Sequence, residues 1–87
     1  MPYTLSFRPA ALRGLTKIPQ SHRQRISSLI DELKHEPRPA GAKKLGGYEN
    51  FWRIRIGDYR VVYSIDDQSE AVRVLTVAHR REVYREY

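Results

Sequence analysis

From Phe51 onward the chain changes period. The segments FWRIRI, YRVVYSI and AVRVLTVA alternate apolar with polar or charged residues, and they are separated by Gly57-Asp58 and by a polar stretch around DDQSE. Alternation sends successive side chains to opposite faces, so this pattern predicts three strands of an antiparallel meander. A two-residue turn at Gly57 and Asp58 fixes the register of the first pair. It sets Ile56 opposite Tyr59, Arg55 opposite Arg60, Ile54 opposite Val61 and Trp52 opposite Tyr63. One side of the sheet then collects Trp52, Ile54, Ile56, Tyr59, Val61, Tyr63 and Ile65. The other side presents Arg53, Arg55 and Arg60, with Val62 and Ser64 between them.

The first half supplies what the apolar side needs as cover. YTLSF alternates with Tyr3, Leu5 and Phe7 on one side and reads as a short strand. Pro9 suits the first turn of a helix whose stripe is Leu12, Leu15 and Ile18; Pro19 closes it and Gly14 weakens it. Ser21 with Gln24 resembles a capping box ahead of Ile26, Leu29, Ile30 and Leu33, which follow helical spacing until Pro37 and Pro39. PRPAGAKKLGG reads as a loop carrying Lys43 and Lys44, and HRREVYREY as a short final helix with Val83 and Tyr87 on one face. The expected fold class is α+β. A single domain over 1–87 holds an N-terminal strand, a helical hairpin packed on an antiparallel three-to-four-stranded sheet, and a short C-terminal helix.

Composition excludes several chemistries. Cysteine is absent, which removes disulfides, thiolate metal sites and a cysteine nucleophile. Three scattered histidines, His22, His35 and His79, make no metal set, and no HExxH, P-loop or GxSxG motif occurs, so no cofactor is expected. No apolar block is long enough for a signal peptide or membrane span, which implies a soluble cytoplasmic protein with no membrane partner. Sixteen Lys and Arg against ten Asp and Glu give a formal +6. The excess is concentrated: Arg38, Lys43, Lys44, Arg53, Arg55 and Arg60 are opposed over that interval only by Glu49 and Asp58.

Like charges facing each other across strands destabilise the pair. Two readings fit the three arginines. Either they point to water, where salt screens them, or they await an anion whose oxygens match planar guanidinium forks. The tail places His79, Arg80 and Arg81 after the last strand, with Tyr84 a few residues on, so a basic group and a phenol would stand near the hairpin face. A tyrosine there also fits plain packing.

KKLGGYENFWRIRIGDYRVVYSID followed by VLTVAHRREVYR resembles the RelE/ParE superfamily of bacterial toxins, most of all the RelE-type messenger-RNA interferases. The resemblance covers nearly the whole chain and implies the RelE-like microbial-ribonuclease fold. It implies the toxin of a type II toxin-antitoxin pair, a metal-independent endoribonuclease that cleaves messenger RNA in the ribosomal A site and inhibits translation. The ribose 2′-hydroxyl would attack the adjacent phosphate. By the same resemblance Arg53 and Arg55 fall where the family often has lysines, Arg60 matches the hairpin arginine that holds the scissile phosphate, and Arg80 the arginine after the last strand. Tyr84 matches the tyrosine implicated in activating the hydroxyl, with His79 a fallback proton carrier. Lys44 matches a loop lysine that contacts RNA, and Lys43, Arg81 and His79 are grouped with it. Arginine is hard to deprotonate, so Arg53 and Arg55 are expected to clamp charge rather than act as bases. Implied partners are a cognate antitoxin protein and messenger RNA on the ribosome. Two alternatives share the fold: a ParE-like DNA gyrase inhibitor, and a module that binds RNA without cutting it.

Overall fold

The computed structural model describes residues 2–47 and 50–79. Strand β1 (Thr4–Phe7) leads into helix α1 (Pro9–Thr16) and helix α2 (Gln20–Asp31), which tightens into a 3-10 turn at Glu32–Lys34. Strands β2 (Lys43–Lys44), β3 (Phe51–Ile56), β4 (Tyr59–Asp66) and β5 (Ala71–His79) follow. They form one five-stranded sheet in the order β1-β5-β4-β3-β2.

The α+β architecture is the one expected, with a sheet that is larger and mixed. β1 joins it parallel to β5, Thr4 beside Ala71 and Phe7 beside Val74. The Lys43-Lys44 segment, read as loop, pairs antiparallel with β3 through Arg53 and Trp52. β2 ends there, so the outer rim of β3 from Ile54 to Ile56 carries no strand among the described residues. The expected C-terminal helix falls in 80–87, outside the described residues.

The β3–β4 register is the one that a two-residue turn dictates, with Arg55 opposite Arg60 and Trp52 opposite Tyr63. Gly57 takes a positive φ of 60°, a conformation that glycine adopts without a Cβ penalty. β4 and β5 pair regularly except at Val62/Tyr63, where partners jump from Thr76 to Val74 and Leu75 is left as an extra residue. Such a bulge shifts the alternation of the bulged strand by one. In β5, Val72 and Val74 join the main core before it, and Val77 does so after it.

Both helices pack on the side bearing Ile56, Val61, Tyr63 and Ile65, through Ala11, Ile18, Ile26, Ile30 and Leu33. α1 buries a narrower stripe than expected, since Ala11 and Ile18 are buried while Leu12 is 50% exposed. Gly14 proves to be a packing residue: a Cβ there would collide with the Val77 carbonyl oxygen, so its absence lets α1 lie against β5. α2 begins at Gln20 behind Pro19, with no side-chain cap, which corrects the capping box expected of Ser21 and Gln24. Arg23 instead ties the corner between the helices, donating to the Ile18 carbonyl at 2.8 Å and to that of Thr16 at 3.1 Å.

A second set of ties closes the far end of the sheet. The Tyr63 hydroxyl is buried and donates to the Pro37 carbonyl at 2.7 Å; burial pushes its pKa up to about 12. Arg38 grips Asp67 with two nitrogens, at 3.2 and 2.8 Å, and lies 5.1 Å from the centre of the Trp52 ring. Tyr3 donates to the same carboxylate at 2.7 Å. The Arg38 guanidinium and then the Tyr3 hydroxyl hold Asp67 below the ordinary aspartate range. No helix among the described residues is long and apolar enough to cross a membrane.

Candidate nucleic-acid interface

The sheet face turned away from the helices carries the candidate site. Its rows follow from register. One row runs Arg55, Arg60, Ala78, and the next runs Lys43, Arg53, Val62, Thr76. Four of the expected residues, Lys43, Arg53, Arg55 and Arg60, therefore stand in two neighbouring rows on three adjacent strands. Lys43, Arg53 and Arg55 also line one cavity of about 400 Å³, closed by Leu29, Ala40, Gly41, Ile54 and Ile56.

The face is not uniformly wet. Arg55 is exposed, but Arg53 and Arg60 retain only 8% and 7% of their surface. A small apolar patch of Val62 and Leu75, margined by Leu45, Phe51 and Ala78, shares the face with them. Arg60 donates from Nη1 to the carbonyl of Tyr59 at 3.3 Å, while its Nε is buried with no acceptor among the described residues. A buried cation left without its acceptors costs stability. An incoming anion would find a guanidinium already stripped of much of its water, and pairs between such groups are stronger than pairs in bulk water.

Two expected contributors lie elsewhere. Lys44 pairs with Trp52, on the opposite side of the sheet from Lys43 and Arg53. His79 pairs with Tyr59 and meets its ring edge-on at 5.8 Å, with His22 6.2 Å from Tyr59 on its other flank. That is the helix-covered side, not the arginine side expected of it, and the bulge at Leu75 is the reason. His79 lines two cavities, of about 340 and 270 Å³, between the helices and the end of the sheet. Arg80, Arg81 and Tyr84 fall outside the described residues. Arg73, exposed and in register with Ser64 on β4, joins this face without having been expected there. Alternation on β5 alone did not reveal its side, because the helix face of that strand changes phase part-way along.

The chain matches the family model described as the ParE toxin of the type II toxin-antitoxin system, over residues 5–84. It is 36% identical to Toxin RelG of Mycobacterium tuberculosis, covering 98% of this chain and 99% of that one. It is 32% identical to the mRNA interferase toxin RelE of Escherichia coli K12, covering 99% and 94%. Among solved structures it superposes on the archaeal RelE-RelB complex of Pyrococcus horikoshii with a TM-score of 0.81, at 29% identity over 94% of this chain and 99% of that one. The RelBE2 toxin-antitoxin complex of Mycobacterium tuberculosis gives a TM-score of 0.78, at 33% identity over 91% and 99%.

Proposed function

This chain belongs to the RelE/ParE superfamily of type II toxin-antitoxin toxins, and from that premise we propose that it is an endoribonuclease that cleaves messenger RNA in the ribosomal A site. The observation that carries the reading is the set Lys43, Arg53, Arg55 and Arg60 on one sheet face, with the Arg60 Nε buried and lacking an acceptor among the described residues. Four cations in that arrangement suit a phosphodiester whose negative charge grows during reaction.

In the proposed reaction the ribose 2′-oxygen attacks the neighbouring phosphorus, a P–O2′ bond forms and the P–O5′ bond breaks. The products are a 2′,3′-cyclic phosphate and a free 5′-hydroxyl. Arg60 and Arg53 hold the non-bridging oxygens, where preorganised donors are worth most as charge accumulates. Arg55 and Lys43, both exposed, guide the strand onto them. All three guanidiniums keep their protons, so they stabilise charge without moving a proton. Tyr84, whose phenolate the charges of Arg80 and Arg81 would favour, takes the proton of the 2′-hydroxyl, and the leaving 5′-oxygen takes one from water. His79 ranks behind Tyr84 because its ring stands against Tyr59 on the other side of the sheet. Arg81 contacts RNA outside the reacting phosphate, whereas Lys44, on the other side of the sheet, is given no contact to it. The partner that silences the toxin is an antitoxin protein, as in the toxin-antitoxin complexes of its structural relatives.

The test is primer extension on messages from cells expressing the toxin, beside a reaction with purified ribosomes. Breaks within ribosome-bound codons that vanish with Arg60→Ala support the reading. The family description also names ParE, and a gyrase inhibitor would leave messages intact and block DNA supercoiling. A passive RNA-binding module would do neither.

A further inference from the structure

The basic face continues beyond the candidate cleavage site. Ser6 on β1, Arg73 on β5 and Ser64 on β4 are register neighbours, so three side chains stand in a row across adjacent strands about 4.8 Å apart. Ser64 lies four residues from Arg60 along β4, which keeps the two on one face and about 13 Å apart. Ser6 and Arg73 are exposed, and Ser64 is half-buried. Among the described residues neither serine hydroxyl makes a hydrogen bond and Arg73 makes no ion pair. Asp66, two residues on from Ser64, is turned into its own loop, accepting from the Gln68 and Ser69 N–H groups at 3.0 and 3.2 Å. Arg8, two residues on from Ser6, adds positive charge where its Nε donates to the Leu75 carbonyl at 3.1 Å. On the other flank Phe51, opposite Ser64, is packed into the Val62 and Leu75 patch and ends the row.

We infer that Ser6, Arg73 and Ser64 form a second phosphate subsite, holding a phosphate of the same single-stranded RNA that flanks the one to be cleaved. The inference rests on the ribonuclease reading of the face. A guanidinium between two short hydroxyl side chains offers donors from three directions to one tetrahedral anion, and the serines are small enough to let the anion reach the backbone plane. A backbone separation of about 13 Å between Ser64 and Arg60 leaves room for two phosphates of one strand.

The experiment uses the free toxin and oligouridylates of three and nine nucleotides with 2′-O-methyl sugars, which bind but cannot be cut, read by fluorescence anisotropy from 50 to 300 mM salt. Wild type is expected to prefer the longer probe. Arg73→Gln should weaken the nine-mer about three- to fivefold, the effect of one exposed ion pair. It should lower the slope of log affinity against log salt by about 0.7, the value for one phosphate on a single strand, and leave the three-mer unchanged. Arg73→Lys should restore the salt slope, which a purely structural role would not. Equal nine-mer affinity and equal slope for Arg73→Gln and wild type overturn the inference, as does a wild type blind to length. Failure of the parent reading has a different signature: intact messages on ribosomes with wild-type toxin, whatever Arg73 does.

Discussion

The two faces of this sheet use the same strands under opposite rules. On the helix side, Val61, Tyr63, Val72, Val74 and Val77 are buried under Ile18, Ile26, Ile30 and Leu33. On the other side, cations surround a patch whose buried apolar residues, among the described residues, are Val62 and Leu75. The first face lowers the free energy of folding; the second, with Arg53 and Arg60 largely covered, spends some of it. A chain of 87 residues has a thin core, so it tolerates a cost on one face only because the other is packed well. Substitutions on the two faces should therefore fail in different ways.

The largest effect is expected on the helix side. Ile30→Ala leaves a cavity among fully buried neighbours and should cost about 3 to 4 kcal/mol of stability, read from urea unfolding, while RNA cleavage per folded molecule stays near wild type. If activity falls ahead of stability, the separation between faces is wrong. Arg60→Ala makes the converse case. It should lower cleavage on ribosomes by about a hundredfold or more, the loss typical of one transition-state donor. The midpoint of unfolding should hold or rise, because a buried group short of an acceptor has been removed. A large drop in stability would mean that Arg60 is a structural residue.

Tyr63→Phe is a finer probe of the helix side, expected to cost about 1 kcal/mol through the lost bond to Pro37. The sign with pH follows from the phenol. Its folded-state pKa is raised from 10.0 to about 12, so the stability it contributes is fully present below pH 10 and is lost as pH climbs toward 12. Alkaline unfolding curves of Tyr63→Phe should be flatter across that window. The smallest effect belongs to Asp67→Asn at the sheet's exposed end. Asp67 is held below 3.8, so its contribution is present above that pH and fades as acid takes the carboxylate through its depressed folded value. The variant should lose acid sensitivity in thermal melts between pH 5 and pH 2 while unfolding slightly earlier at pH 7.

Much of this was legible in the chain, and the exceptions share a cause. The β3–β4 register followed from one Gly-Asp turn because a two-residue loop leaves no freedom to slip. The α2 stripe was legible because Ile26, Ile30 and Leu33 repeat within one helix and its closing turn. The pairing of β1 with β5 was not, since nothing local in Thr4–Phe7 distinguishes a lone edge strand from one that meets residues nearly 70 positions later. Two lysines amid Pro and Gly carry too little periodicity to announce β2. For the site, the hairpin arginines were found by counting along β3 and β4, both regular there. His79 was expected near them because it was read as following the last strand; it instead ends β5 as the partner of Tyr59, past the extra residue Leu75. The burial of Arg53 and Arg60 escaped notice for another reason: cover comes from the assembled fold, not from neighbours in sequence.

The short reach of β2 has a practical consequence. Beyond Trp52 and Arg53 the rim of β3 pairs with no strand among the described residues, and a bare rim is the kind of border along which separate copies zip together into aggregates. Arg55 and Lys43 stand at that border as charged sentries, so neutralising them to silence the toxin also removes its guard against self-adhesion. Preparations of such variants are expected to need more dilute handling than the active protein does.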